Sequence, residues 1–262
     1  MDMSVQRETM QKTDSSASIQ LVNVSLKVPV SIANTSPPDA GWRQILRRSI
    51  FQRYRRQFNE ILSDINLTIY SGDRIAFIGR NGAGKTTLLR MLTGAYAPTT
   101  GIIEKIGRSV SLMNISLGMN FQASVLENIY LRGTAFGLTQ IQLTKAVKGI
   151  LEFADLNDKI GAPLDTLSAG QRMRLAFAIS TCYPADIVIM DEWIGAGDQY
   201  FLNKAKERLR SHIEGAQIVV LASHNNAIIR EVCNRAIILE EGKLVFDGSV
   251  EDAIKVYGER NR

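Results

Sequence analysis

Between 19 and 30 apolar and polar residues alternate in a run rich in Val, Leu and Ile, the period-two pattern of a strand with one buried face. The run opens into a loop over 33–41, marked by Pro37 and Pro38. From 42 to 58 the period changes. Trp42, Leu46, Ile50, Phe51, Tyr54 and Phe58 can share one face of a helix, interleaved with Arg43, Arg47, Arg48, Arg53, Arg55 and Arg56. Strands are expected at 65–69 and 74–78, parted by the turn Ser71-Gly72-Asp73, and the second ends directly at a glycine-rich loop. Helices are then expected over 85–94, 126–136, 139–153, 169–181, 200–214 and 225–234. Between them lie apolar strands at 187–190, 218–222 and 236–239, and a closing hairpin runs through Glu241-Gly242-Lys243. Strands alternating with helices predict an α/β fold whose mostly parallel core sheet is covered on both faces.

Composition narrows this picture. With 262 residues, 45% hydrophobic and 22% charged, the chain can bury an ordinary core as one large domain or one domain with a small lobe. The longest apolar runs are strand-sized, far short of the roughly 18 residues that cross a bilayer, so work at a membrane is expected to need a partner. Residues 1–18 form a polar tail without the apolar stretch of a secretory signal, and Cys182 and Cys233 stand far apart, so a reducing, cytosolic setting is expected. The net charge of +5 suits nucleotide phosphates, anionic headgroups or nucleic acid, and much of it sits in the 42–58 segment. That segment reads equally as a helix near a membrane surface or as a solvated surface helix.

Three motifs carry chemistry. Gly79-Arg80-Asn81-Gly82-Ala83-Gly84-Lys85-Thr86, followed by Thr87, fits the phosphate loop between a strand and a helix. Its backbone N–H groups and the helix end would face phosphates, Lys85 would reach the outer two, and the Thr86 hydroxyl would ligate magnesium. The strand 187–190 ends in Asp191-Glu192, which sets Asp191 to hold magnesium and Glu192 to polarise an attacking water. Solvated acids at a strand end are the plainer alternative, and the phosphate loop weighs against it. Leu167-Ser168-Ala169-Gly170-Gln171 opens a helix and offers a second hydroxyl-and-amide anion site, which one nucleotide does not need.

The order of these three motifs resembles that of ABC ATPases, whose signature motif is usually Leu-Ser-Gly-Gly-Gln, and the resemblance extends from about residue 61 to 248. It implies a phosphate-loop NTPase of ABC type with an N-terminal antiparallel β lobe and a helical lobe over about 112–180. The ATPase domain is placed at 19–250, with a short tail over 251–262. ATP and Mg2+ are the implied ligands, and two copies are expected to face head to tail, so that Ser168, Gly170 and Gln171 act on the nucleotide of the partner. Ala169 departs from the usual glycine by one methyl. His224, in Ser223-His224, matches the switch histidine that senses the terminal phosphate, and Asp198 matches the loop that links the two sites. Asn114 is placed where many members carry a glutamine that contacts magnesium and water. Tyr54, Phe51 and Phe58 are the candidates to stack on adenine, each equally placed to form the apolar face of the basic helix.

The insert 29–59, Ser116-Leu117-Gly118-Met119-Asn120-Phe121 ahead of Glu127-Asn128-Ile129-Tyr130-Leu131, and Trp193 to Asp198 are similar to ATPases of bacterial surface-polysaccharide exporters, which move O-antigen, capsule or teichoic acid on lipid carriers. This implies a separate polytopic permease, a peripheral location on the cytoplasmic face of the inner membrane, and no nucleic-acid partner. Some members carry a further C-terminal carbohydrate-binding domain. This sequence ends at Arg262, so selection of the glycan is expected elsewhere. The rival reading, a soluble ABC ATPase acting on ribosomes or nucleic acid, usually joins two cassettes in one chain. A generic kinase or GTPase would leave 167–171 unexplained.

Overall fold

The computed structural model describes residues 16–30, 57–113, 118–191 and 199–260. The alternating run forms β1 (Ser18–Val30), which pairs antiparallel with β2 (Gln57–Tyr70) on one edge and β4 (Thr100–Ile106) on the other. Ile19, Leu21, Leu67 and Ile69 point inward and are buried, whereas Val22, Ile102 and Ile106 stay exposed on this lobe. β2 starts well before the expected residue 65 and takes Gln57 and Phe58 out of the predicted basic helix, with Phe58 opposite Pro29. The rest of that helix, 42–56, lies outside the described residues.

The core sheet combines β3 (Arg74–Ile78), β5 (Ser109–Ser111), β6 (Ile187–Asp191), β7 (Ile218–Ala222), β8 (Arg235–Glu240) and β9 (Lys243–Gly248) in the spatial order β5-β6-β7-β3-β8-β9. The first five are parallel and β9 is antiparallel at the edge, as the mostly parallel expectation requires. Successive side chains on a strand point to opposite faces, so a sheet covered on both sides needs continuous apolar runs. Ile75, Phe77, Ile189, Val220 and Ile237 accordingly pack with the β lobe and α1 (Lys85–Leu92). Ala76, Val188, Met190, Leu221 and Ile238 pack with the helices of the other face. Each fully buried large side chain contributes about 1.5–3 kcal/mol.

That other face carries the helical lobe, α2 (Val125–Ala135), α3 (Gln140–Ala154) and α4 (Ala169–Ser180). Each begins with a reciprocal cap, Ser124 with Glu127, Thr139 with Gln142 and Ser168 with Gln171, which satisfies two orphan backbone donors and fixes where the helix starts. α5 (Gln199–Gly215) lies against the lobe through the ring cluster of Phe153, Phe177 and Phe201. α6 (Asn226–Val232) and α7 (Val250–Arg260) complete the chain. Residues 251–262, expected to be a tail, are corrected here: up to Arg260 they form α7, which buries Val250 and Ala253 against the core. Among the described residues, no helix is long and apolar enough to cross a membrane.

Candidate functional site

Strand register brings the motifs together. Ala222 at the end of β7 stands opposite Asp191, the last residue of β6, and opposite Phe77 on β3. The three strands therefore end level, with Asp191, the Ser223-His224 pair and the start of the glycine-rich loop at one edge. The carboxyl edge of a parallel sheet is where such folds receive ligands.

Backbone crowding fixes the loop. Gly79 is buried, and a Cβ there would stand 2.2 Å from the carbonyl oxygen of Leu239. The hairpin between β8 and β9 turns on Glu241 and Gly242, at φ 45° and 78°, the left-handed pair of a tight two-residue turn. The N–H of Gly242 donates to the Ala83 carbonyl at 3.1 Å, and a Cβ at Gly242 would stand 2.4 Å from the Ile61 carbonyl oxygen. Loop, hairpin and β2 are thus held in mutual contact by positions that tolerate only glycine.

Lys85 opens α1. Its Nζ, buried in the loop, donates to the carbonyls of Gly79 at 2.6 Å and Arg80 at 3.0 Å. The first-turn N–H groups of a helix have no helical acceptor and carry partial positive charge, so loop, ammonium and helix end add to one anion-binding surface. A cleft of about 500 Å3 opens on this surface, lined by Ile61, Asn81, Gly82, Gly84, Lys85, Thr86, Thr87, Asp191, Ala222, Ser223 and His224. Its two sides differ in charge, cationic at Lys85 and anionic at Asp191.

The Thr86 hydroxyl donates to Asp191 Oδ2 at 2.7 Å. A hydroxyl and a carboxylate oxygen at one point form a hard-oxygen donor set of the kind Mg2+ takes, since it binds one or two protein oxygens and fills its shell with phosphates and water. Among the described residues there is no group of three or more His, Cys, Asp or Glu that could cage a metal by itself. The donor set fits a cation shared with a polyphosphate. Chemically, the arrangement can grip a chain of phosphates at its positive end and place a cation beside it. His224, exposed at the rim, can meet the far end of that chain.

The start of α4, the expected second anion site, is elsewhere. Ser168 caps α4, accepting from the Gln171 N–H at 3.2 Å while Gln171 Oε1 accepts from the Ser168 N–H at 3.0 Å. Ser168, Ala169 and Gly170 are exposed, and a Cβ on Gly170 would find only Ser168 Oγ, at 3.9 Å. Ala169 lies in the first turn of α4, so its extra methyl meets no strain. Ser168, Gly170 and Gln171 are not among the described residues that line the cleft.

Asn114, Glu192, Asp198 and Tyr54, with Phe51, lie outside the described residues. Of the three aromatic candidates Phe58 is described, on β2 and 58% exposed. Ile61 is a lining residue that the sequence reading missed, because a strand residue facing a ligand carries no periodicity of its own.

A family model described as ABC transporter matches residues 62–195. The chain is 34% identical over 234 residues to the O-antigen export system ATP-binding protein RfbE of Yersinia enterocolitica, covering 87% of this chain and 96% of that one. It is 36% identical over 196 residues to the teichoic acids export ATP-binding protein TagH of Staphylococcus saprophyticus, covering 75% and 74%. With the ABC transporter protein AbcA of Aeromonas salmonicida it shares 34% identity over 198 residues, and it spans 64% of that relative's length. Among solved structures, the ATP-binding subunit of an ABC transporter matches with a TM-score of 0.66 at 19% identity, over 93% of this chain and 95% of that one. A dimeric post-hydrolysis state of an ATP-binding cassette bound to ADP and Pi matches with a TM-score of 0.63 at 19% identity, over 88% and 98%. These two likenesses are of fold.

Proposed function

Because the chain belongs to the ABC transporter family, as one of its ATPases, we propose that it powers export of a lipid-linked surface polysaccharide through a separate membrane permease. In this reading it acts as a dimer on the cytoplasmic face of the inner membrane. One observation carries the catalytic part: Lys85, Thr86, Asp191 and His224 surround one cleft, while the capped, exposed start of α4 stands outside it. A complete site is then made by two copies, each presenting Ser168 and Gly170 to the nucleotide of the other.

The phosphate loop amides and Lys85 hold the β- and γ-phosphates of ATP. Thr86 and Asp191 would hold Mg2+, which would supply charge neutralisation for the phosphates. Glu192 accepts a proton from the attacking water, and His224 orients that water against the terminal phosphate. Asn114 would ligate the metal through its amide oxygen and hydrogen-bond the water, with a shorter reach than glutamine. Asp198 joins the two sites, and an aromatic, Tyr54, Phe51 or the exposed Phe58, stacks on the base. The water oxygen bonds to the terminal phosphorus as the bond to the bridging oxygen of the β-phosphate breaks, giving ADP and phosphate; departure of that phosphate takes away the charge that holds the copies together, and their separation moves the permease through the helical lobe.

The polysaccharide assignment is supported by the O-antigen and teichoic acid export relatives, at about a third identity over most of the chain. The test is capture of a tagged Glu192→Gln chain from native membranes in Mg-ATP, followed by identification of what copurifies. A polytopic membrane protein is expected. Ribosomes or nucleic acid without a membrane protein would overturn the exporter reading.

A further inference from the structure

An anion site at the start of a helix works only if that helix is aimed, and a set of contacts behind α4 does the aiming. Leu167, immediately before Ser168, is buried, and its carbonyl accepts a hydrogen bond from Arg172 Nη1. The Arg172 guanidinium also lies over the ring of Phe121, 5.4 Å from its centre. A guanidinium on an aromatic face is attracted by the ring quadrupole. One side chain therefore joins the signature turn to a loop that precedes α2.

That loop is tied to the approach of α4 along its length. Asp165 N–H donates to Phe121 O, Leu164 N–H to Ala123 O and Val125 N–H to Ala162 O, each at 3.0 Å. From behind, Asn128 is fully buried, and its Nδ2 donates to the carbonyls of Asn120, Ala123 and Ser124 while its Oδ1 accepts from the Asn120 N–H at 2.8 Å. An amide saturated in this way rigidifies the loop it holds. Phe121 is nevertheless 46% exposed, so its ring is not explained as core packing. Neither Phe121 nor Arg172 is among the described residues lining the cleft.

We propose that Phe121 and Arg172 are positioning residues for the ATPase reaction: stacked together, on a loop fixed by Asn128, they aim Ser168 and the first amides of α4 at the terminal phosphate bound by a second copy. The proposal rests on the dimer reading above. It separates two properties that a merely structural role would move together, nucleotide binding by one copy and turnover by two.

The test uses the full chain with Phe121→Leu, which keeps apolar bulk without a ring face, and Phe121→Trp, which restores the face. ADP affinity is measured by equilibrium dialysis, turnover as kcat and KM, and Mg-ATP-dependent dimerisation by sedimentation. Phe121→Leu is expected to lower kcat about two- to fivefold, the rate equivalent of a partly exposed cation–π contact. Its ADP affinity should stay at the wild-type value, and Phe121→Trp should recover kcat. Wild-type kcat in Phe121→Leu, or ADP affinity falling in step with kcat, overturns the proposal while leaving the dimer reading standing. A wild-type chain that turns over ATP as a monomer removes the dimer reading, and this proposal with it.

Discussion

Replacing Asn128 by Asp changes one atom and reverses the hydrogen-bonding sense of a buried group. In the native chain Nδ2 faces three carbonyl oxygens, Asn120 at 2.9 Å, Ala123 at 3.2 Å and Ser124 at 2.9 Å. In Asn128→Asp an oxygen faces those three oxygens. The two Nδ2 hydrogens are shared among these part-buried carbonyls, so their loss costs about 2 kcal/mol at ~1 kcal/mol each, and an unpartnered charge on the buried side chain brings the total to about 3–5 kcal/mol. With a urea m-value of about 3 kcal/mol/M, the unfolding midpoint falls by about 1–1.7 M near pH 7.5. Burial and the carbonyls raise the new carboxyl's pKa in the fold above its unfolded value. The unfolded chain therefore ionises first, and the penalty grows as pH rises from the unfolded pKa through the folded one, then levels off. Lowering the pH toward 5 should narrow the gap to wild type, because the protonated carboxyl can donate once. A midpoint shift below about 0.3 M, or one that widens as pH falls, would show that Asn128 does not hold the loop as argued.

Lys85→Ala removes the only side-chain cation lining the cleft among the described residues, and ATP affinity should fall about ten- to hundredfold by equilibrium dialysis; unchanged affinity would take Lys85 out of the phosphate site. Gly79→Ala puts a methyl 2.2 Å from the Leu239 carbonyl, so loop and β8 must part, costing about 1–3 kcal/mol and weakening nucleotide binding; an unchanged melting temperature would contradict the close approach. His212 on α5 meets the Thr181 carbonyl at 2.7 Å, and burial, reinforced by Arg208 and Arg108, lowers its pKa despite that contact. The unfolded chain then takes up the proton first as pH falls below about 6.5, so stability is lost through that window. His212→Gln should flatten the stability profile between pH 7 and 5.5, and an equally steep profile in the variant would exclude His212 as its source.

The motifs that meet at the cleft were legible because they depend on short, ordered spacings. Gly79 is required by backbone crowding and Gly82 by its positive φ, and the apolar strand before Asp191 is required by a sheet covered on both faces. Helices with a cap and a buried stripe, such as α3 and α4, were placed to within about two residues. Other elements were hidden for identifiable reasons. β4 exposes Ile102 and Ile106, so it lacks the apolar-in alternation that marks a strand. β5 has three residues and is defined by pairing with β6. α7 had a usable signal in Ser249, whose Oγ accepts from the Asp252 N–H, and in Val250, Ala253, Ile254 and Tyr257 at helical spacing. Asn128 looked like an ordinary polar helix residue, because its three carbonyl partners come from a loop whose path sequence does not specify.

In the proposed dimer a working site joins the phosphate loop of one copy to the start of α4 of another, and mixing two inactive chains shows whether it does. Lys85→Ala disables the first element. Gly170→Asp adds a charge at an exposed position where a Cβ makes only an ordinary contact with Ser168 Oγ, and should disable the second without disturbing the fold. In a head-to-tail dimer one composite site of each mixed pair carries both lesions and the other carries neither. ATPase activity should return on mixing to about a quarter of wild type, since half of random dimers are mixed and each has one intact site. No recovery from two chains that are each folded, and that form mixed dimers, would contradict the account.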